Sequence, residues 1–394
     1  MNIALKTVRD AAGDDVFIIG CGCPVGSAIG YVDGMRVSAD TGPKWDPSFP
    51  LPWWDNGTLP CVRNMIRNSL NRVHLSHRWW HNDPDCLLLG KTTSLTDEEI
   101  VSAASIIAMS GGMLLLSDDL PALTPDRFEI ATKLFPICEG VAMPLDLHCS
   151  YGSTPSLLQL WCTDESHAIS PQMPTSLHSS GKNRSRIIVS SGLGTWTIVS
   201  LSNWLEVDAV VSAPFSALML PHTDLPSGNR FGFHVFAFWG SKYAWVPCHE
   251  SLDAGEVQRT LSKRLGPHET ELFHVKQVTP GSVQYIGSTL HYTCGYEIEK
   301  LSLDDTSATF YLKEGKIRSA AIYVFVPGDL QKKLHATFEG INVSTDVVQR
   351  LNLGESDSTG TIALGAVIRI KILPSQTSNN SICSAGKGNL TIYF

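Results

Sequence analysis

The hydrophobic periodicity of this chain changes once, near residue 145, and that single change limits the folds open to it. Before it, short apolar runs alternate with segments of helical spacing; after it, helical spacing disappears. The runs "DDVFIIGCG", "GMRVSAD", "NRVHLSHRWW" and "GGMLLLSDD" are expected to be strands. Between the second and third, "CVRNMIRNSLNR" has helical spacing. Between the third and fourth, Thr96 and Glu99 form a capping-box pattern ahead of "IVSAASIIAMS". After the fourth, Thr124-Pro125-Asp126 marks a helix start: a cap, a proline at the first position and an acid in the first turn. Strand-helix alternation of this kind predicts a parallel sheet with helices outside it. In an α/β barrel or an open sheet alike, the strand C-termini carry the chemistry.

Beyond the change, short β-rich runs are separated by Gly, Ser, Asn, Pro and Asp clusters. They include "SLLQLWC", "RIIVSSG", "TWTIVSLSNW", "FHVFAFW", "SVQYIG", "ATFYLKE", "AAIYVFVPG", "AVIRIKIL" and "LTIYF". This half is expected to be an antiparallel β-sandwich region. The predicted organisation is therefore α/β plus all-β, with domains at 1–142 and 143–394 and a candidate sub-domain break near 265–280.

Composition excludes some classes. With 43% hydrophobic and 17% charged residues the chain is globular rather than disordered. A net charge of −8 with no basic stripe argues against a nucleic-acid or anionic-membrane partner. The opening "MNIALKTVRDAAGDD" has no apolar core of a signal peptide and reads as an amphipathic helix with Ile3, Leu5 and Val8 on one face. Sequons at Asn56, Asn183, Asn342, Asn379 and Asn389 hint weakly at a secretory route. The ten cysteines form no CxxC pair or zinc spacing and read mostly as buried thiols.

Three stretches could carry chemistry. Along a strand, alternate side chains share a face, so Arg36, Ser38 and Asp40 point together, with Asp40 at the C-terminal end. Asp40 is either a catalytic acid or a cap for the turn at Gly42-Pro43. In "WWHNDPDCLLLG", Asp83 and Asp85 flank a stiffening proline; Trp79 and Trp80 either stack on a sugar face or pack in the core. Asp118 and Asp119 end the fourth run and either line a pocket or make structural bonds. His74, His77 and His81 straddle an expected strand and turn, so their rings need not converge, and no metal is expected. "GCGCPVG" lacks the GxGxxG spacing, and neither a P-loop nor a GxSxG elbow is present.

Taken together, "GCGCPVGSAIGYVDGMRVSADTGPKW", "NDPDCLLLG" and "LTDEEIVSAASIIAMSGGMLLLSDDL", in that order, resemble the second half of the catalytic barrel of melibiase-type α-galactosidases, glycoside hydrolase families 27 and 36. "GFHVFAFWGSKYAWV" is similar to the β-domain that follows that barrel. The resemblance implies a partial (β/α)8 barrel, about strands five to eight, followed by the sandwich. It implies hydrolysis of terminal α-galactosides without metal or organic cofactor. It places Asp40 at the acid/base position, with Arg36 four residues before it, and Asp85 and Cys86 at sugar-binding positions. Cys21 and Gly22, after the first strand, become weaker pocket candidates beside Trp79. Where the family has its nucleophile, an Asp in a Lys-x-Asp setting on the fourth barrel strand, this sequence has no counterpart. The expectation is a truncated glycosidase, weakly active or inactive alone, or a carbohydrate-binding pseudoenzyme. Its partners would be a galactose-containing oligosaccharide and a second copy or other chain that completes the barrel.

Overall fold

A computed structural model of the chain describes residues 2–49, 56–148, 154–164, 186–189, 192–215, 217–218, 231–247, 260–313, 319–328, 334–354, 361–373 and 388–394. The sequons at Asn183 and Asn379 lie outside the described residues. The first part runs α1 (Asn2–Ala12), β1 (Ile19–Gly20), α2 (Val25–Ala28), β2 (Gly34–Arg36), α3 (Val62–Asn71), β3 (His81–Asp83), β4 (Cys86–Leu87), α4 (Asp97–Ser110), β5 (Leu115–Leu116) and α5 (Pro125–Leu134). β1 pairs with β2, β2 with β3, and β4 with β5, all parallel. Pro84 and Asp85 separate β3 from β4. β1, β2 and β3 thus form one sheet in chain order, and β4 and β5 form a second. That is the order of a barrel wall, whereas a doubly wound sheet reverses direction at a switch point. The segment is part of a (β/α) barrel, as expected.

One expected strand is displaced. In "NRVHLSHRWW", Asn71 ends α3, and Val73–Leu75 form a single 3-10 turn. Val73 and Leu75 are both buried, so their alternation imitates a strand although the backbone is coiled. His77, at φ 57°, turns the chain, and the strand starts only at His81. The short helix α2 had no distinct sequence signal.

Helix α4 begins where the capping box placed it. The Thr96 hydroxyl accepts from Glu99 N at 3.2 Å, and Glu99 Oε2 accepts from Thr96 N at 2.9 Å. Nearly every residue from Glu99 to Ser110 is buried, because one side faces α3 and α5 and another faces the β-region. Ser102 Oγ donates to the His268 carbonyl at 2.5 Å, and Trp239 Nε1 donates to Ser105 Oγ at 2.8 Å.

The second part holds β6 (Met143–Pro144), β7 (Leu157–Asp164), β8 (Arg186–Val189), β9 (Thr195–Ser202), β10 (Ala209–Pro214), β11 (Phe233–Ala237), β12 (Lys242–Val246), β13 (Thr260–Leu265) and β14 (Thr270–Gln277). It continues with β15 (Gln284–Ser288), β16 (Ile298–Leu303), β17 (Ser307–Leu312), β18 (Ala320–Pro327), β19 (His335–Phe338), β20 (Ile341–Gly354), β21 (Thr361–Ile372) and β22 (Gly388–Tyr393). One sheet has the order β12-β11-β14-β9-β7-β6, with β8 parallel to β7. The other has the order β15-β18-β21-β20-β19-β22-β17-β16, and β10 and β13 form a separate pair. Every β-rich run quoted above forms a strand. The 265–280 stretch carries β14, hydrogen-bonded between β11 and β9, and the chain crosses to the second sheet just after it. Between the sheets, the rings of Phe236 and Tyr323 meet at 4.8 Å. Gly287 permits that approach, since a Cβ there would lie 2.5 Å from Phe236 Cδ1.

This core contains two buried imidazoles. His234 bonds Tyr243 Oη at 2.8 Å and Gln284 Oε1 at 3.3 Å, while His274 lies beside the rings of Phe236 and Phe238. Burial pushes the pKa of each from 6.5 down to about 3. Both are neutral when folded, and each takes up a proton on unfolding below about pH 6.5. The unfolded state therefore binds more protons between about pH 6.5 and 3, and stability falls as pH falls through that window. We expect urea denaturation to show a loss on the order of a few kcal/mol between pH 7 and pH 4. His274→Leu should flatten this slope; a slope unchanged by the substitution would exclude His274 as a source.

Candidate functional site

Arg36 closes β2, and the parallel register places it beside Asp83, the last residue of β3. Its guanidinium reaches three carboxylates. Nε donates to Asp83 Oδ2 at 2.9 Å, and one terminal nitrogen lies 3.1 Å from Asp40 Oδ1 and 3.0 Å from Asp85 Oδ2. Burial works against the Arg36 charge, but the bond and field of Asp83 and the field of Asp85 outweigh it and raise its pKa. The loop between β3 and β4 fixes the acids in place. Asp83 Oδ1 accepts from Asp85 N at 2.8 Å. Asp85 sits at φ 79°, a conformation unfavourable for a residue with a Cβ. Its carboxylate holds the chain there: Oδ1 accepts from Cys86 N and Oδ2 from Thr41 N, each at 2.7 Å.

Asp40 differs from its neighbours. Its side chain is 75% exposed, against 3% for Asp83 and 11% for Asp85. Asp83 and Asp85 are buried and held by Arg36 and by backbone N–H groups, whereas Asp40 faces solvent at the C-terminal edge of the sheet. Cys86 directly follows Asp85 and lies close enough for the Arg36 charge to act on it; burial raises its thiol pKa, and Ser117 Oγ donates to Sγ at 2.7 Å. Cys21 and Gly22 follow β1 at the same edge, and Cys21 is close enough for its field to act on Arg36. Gly22 has φ 61° and nothing within 4 Å of a would-be Cβ, so the backbone there is open to solvent.

Five sequence candidates, Cys21, Gly22, Arg36, Asp40 and Asp85, thus share one edge, with Cys86 directly after Asp85. Trp79 does not join them. It precedes β3 and so sits at the N-terminal edge, packed edge-on against Trp80 at 5.5 Å. Trp80 is buried and donates Nε1 to Asn82 Oδ1 at 3.1 Å. Asp118 is structural: its two oxygens accept from Leu89 N at 2.6 Å and Gly90 N at 2.8 Å. A Cβ on Gly90 would lie 2.3 Å from Asp118 Oδ1, which accounts for the glycine. The His77 and His81 rings meet edge-on at 4.6 Å, with His77 Nε2 bonded to the Gly111 carbonyl. Sequence reasoning noted Asp83 beside its proline but did not assign it to the site. Its role depends on the β2–β3 register, which residue spacing does not carry.

No protein-family model matches the sequence. Among solved structures, the chain is similar to α-galactosidase I from Mortierella vinacea, with 15% identity, coverage of 71% of this chain and 63% of that one, and a TM-score of 0.44. It is similar to a family-27 β-L-arabinopyranosidase from Geobacillus stearothermophilus, with 12% identity, coverage of 71% and 55%, and a TM-score of 0.46. It also matches an α-galactosidase from Thermus thermophilus in complex with p-nitrophenyl α-D-galactopyranoside, with 31% identity over 32% of this chain and 26% of that one, and a TM-score of 0.30. The chain spans less than two thirds of the length of each.

The cluster has a stability consequence. Arg36→Met leaves two buried carboxylates without their cation and should cost about 3–5 kcal/mol in chemical denaturation. Arg36→Lys should recover only part of this, because an ammonium cannot reproduce the guanidinium fork. Asp40→Asn, at an exposed ion pair, should stay within about 1 kcal/mol. Equal losses in all three variants would contradict this division.

Proposed function

We propose that the Arg36 cluster is the sugar site of an α-galactosidase-type glycoside hydrolase, with Asp40 at the acid/base position. The observation that carries this reading is the ring of carboxylates around one guanidinium at the C-terminal edge of parallel strands. Such an edge is where α/β folds place their reactive groups. Asp40, protonated, would give its proton to the glycosidic oxygen as the bond to the anomeric carbon breaks. As a carboxylate it would then take a proton from the water that attacks. Arg36 and Asp85 would hold sugar hydroxyls, and Cys86, Cys21 and Gly22 would line the ring's path. The preferred substrate is a terminal α-galactoside.

A retaining mechanism needs a second carboxyl group about 5–5.5 Å from the first, placed to attack the anomeric carbon. The cluster offers Asp83 and Asp85, but their oxygens are tied to backbone N–H groups and to Arg36. This favours binding over turnover in the chain by itself. The outer strands β1 and β5 each pair on one side only among the described residues, and Ile19 and Leu115 are exposed. A second copy or another chain could add parallel strands there, and with them the attacking carboxylate.

The test uses the purified chain. Galactose at millimolar concentration should raise its melting temperature, and the shift should shrink in Asp40→Asn. No hydrolysis of p-nitrophenyl α-galactoside above background is expected. Turnover that disappears in Asp40→Asn would instead make the chain a complete enzyme, and the absence of any thermal shift would remove the sugar site.

A further inference from the structure

A groove of about 910 Å³ runs between α3 and the β-region, and no residue of the Arg36 cluster lines it. Its α/β wall is formed by Trp45, Pro47, Phe49 and the α3 residues Arg63, Ile66 and Arg67. Its sandwich wall includes Leu157, Trp204, Leu205 and Val210. The Trp45 and Trp204 rings stack at 6.2 Å with planes 24° apart, and His268 stacks on Trp45 at 4.2 Å, so Trp204 is the ring left open to the groove. Phe49 and Val210 are exposed.

Two donors in this groove have no acceptor among the described residues. Trp45 is only 6% exposed, yet its indole Nε1 makes no hydrogen bond. Arg63 lies 5.9 Å over the Trp45 ring; its terminal nitrogens are held by Asp46 and Glu206, but its buried Nε is unpaired. An indole N–H can only donate, so burial without an acceptor leaves a cost that a bound oxygen would remove. Arg67, one turn further along α3, is exposed at the same wall.

The charge of the lining selects the occupant. The charged residues are Asp46, Arg63, Arg67 and Asp146, two of each sign, so the groove has no net pull on an ion. Asp146 is already committed to the N–H groups of Ser156 and Leu157. What remains is an aromatic and apolar floor, with unpaired donors and no charge to neutralise. A neutral sugar chain fits both demands: its C–H faces cover aromatic rings, and its hydroxyls accept from indole and guanidinium N–H groups.

We propose that this groove is a saccharide-binding site for a neutral oligosaccharide, with Trp204 as its platform and Trp45 Nε1, Arg63 Nε and Arg67 as its donors. The proposal does not rest on the assignment of Asp40. Trisaccharides without galactose keep the two sites apart. Maltotriose, cellotriose and xylotriose are titrated in turn into the full chain and followed by tryptophan fluorescence and calorimetry, with glucuronate as the charged comparison. At least one trisaccharide should bind saturably. Trp45→Phe, which keeps a ring and deletes the N–H, and Arg67→Ala should each weaken that binding about five- to ten-fold. Asp40→Asn should leave it unchanged. The proposal is overturned if none of the three sugars binds, if binding ignores both groove variants, if Asp40→Asn abolishes it, or if glucuronate binds more tightly than the neutral sugars.

Discussion

One carboxylate joins the two halves of this molecule. Glu99 Oε2 closes the capping box of α4, and Glu99 Oε1 bonds His268 Nδ1 from the turn before β14 at 2.8 Å. The residue that starts the helix is thus also the residue that docks it. The interface continues along α4 through Ser102 and Ser105, whose hydroxyls meet the His268 carbonyl and the Trp239 indole. The intervening positions Ile100, Ile106, Ile107 and Met109 are fully buried. A helix enclosed in this way cannot be amphipathic. Its serines are tolerated because each finds a named partner, since a buried hydroxyl without one carries a desolvation cost. The parallel strands are consequently not a free-standing half-barrel. Their C-terminal portion rests on the sandwich, while β1 and α1 extend away with Ile3, Val8 and Phe17 exposed.

This asymmetry bears on the site. The β4–α4–β5 portion is anchored, and Asp118 ties the chain after β5 to the chain after β4 by holding Leu89 and Gly90. Asp85 is then kept at positive φ by its own bonds, and it reaches across to Thr41 N to fix the chain immediately after Asp40. Placement of the exposed carboxylate is therefore set from the anchored side of the sheet. Arg36 completes the arrangement: the desolvation of Asp83 and Asp85 is tolerable only because a forked cation answers both.

Much of this was legible in the sequence because it is local. The Thr96–Glu99 box, the proline that opens α5 and the glycine-punctuated strands each depend on a few neighbouring residues. What was not legible depends on pairing or on depth. Val73 and Leu75 alternate as a strand would, yet they belong to a turn, and this displaced the third strand by about a turn of chain. The displacement carries Trp79 with it. A strand ending at Trp80 would have delivered that indole to the site edge, whereas a strand beginning at His81 leaves it at the far end. Asp83 was hidden for the complementary reason: only the register that sets it against Arg36 gives it a role. The order of strands in the eight-stranded sheet, where β22 inserts between β19 and β17, follows from non-local pairing that no short window contains.

The distribution of charge around Arg36 separates holding from reacting. A carboxylate that accepts two backbone N–H groups and a guanidinium is held in one orientation. It can therefore receive a hydroxyl, but it is poorly placed to attack a carbon. Asp85 has that character, with both oxygens occupied and its backbone conformation fixed by the same bonds. Asp40 has the opposite one: a single ionic partner, a solvent-facing side chain and room for a ligand to approach. Within the cluster, fixity and accessibility thus fall on different residues: Asp85 is locked by its own bonds, and Asp40 is the carboxylate that a ligand can reach.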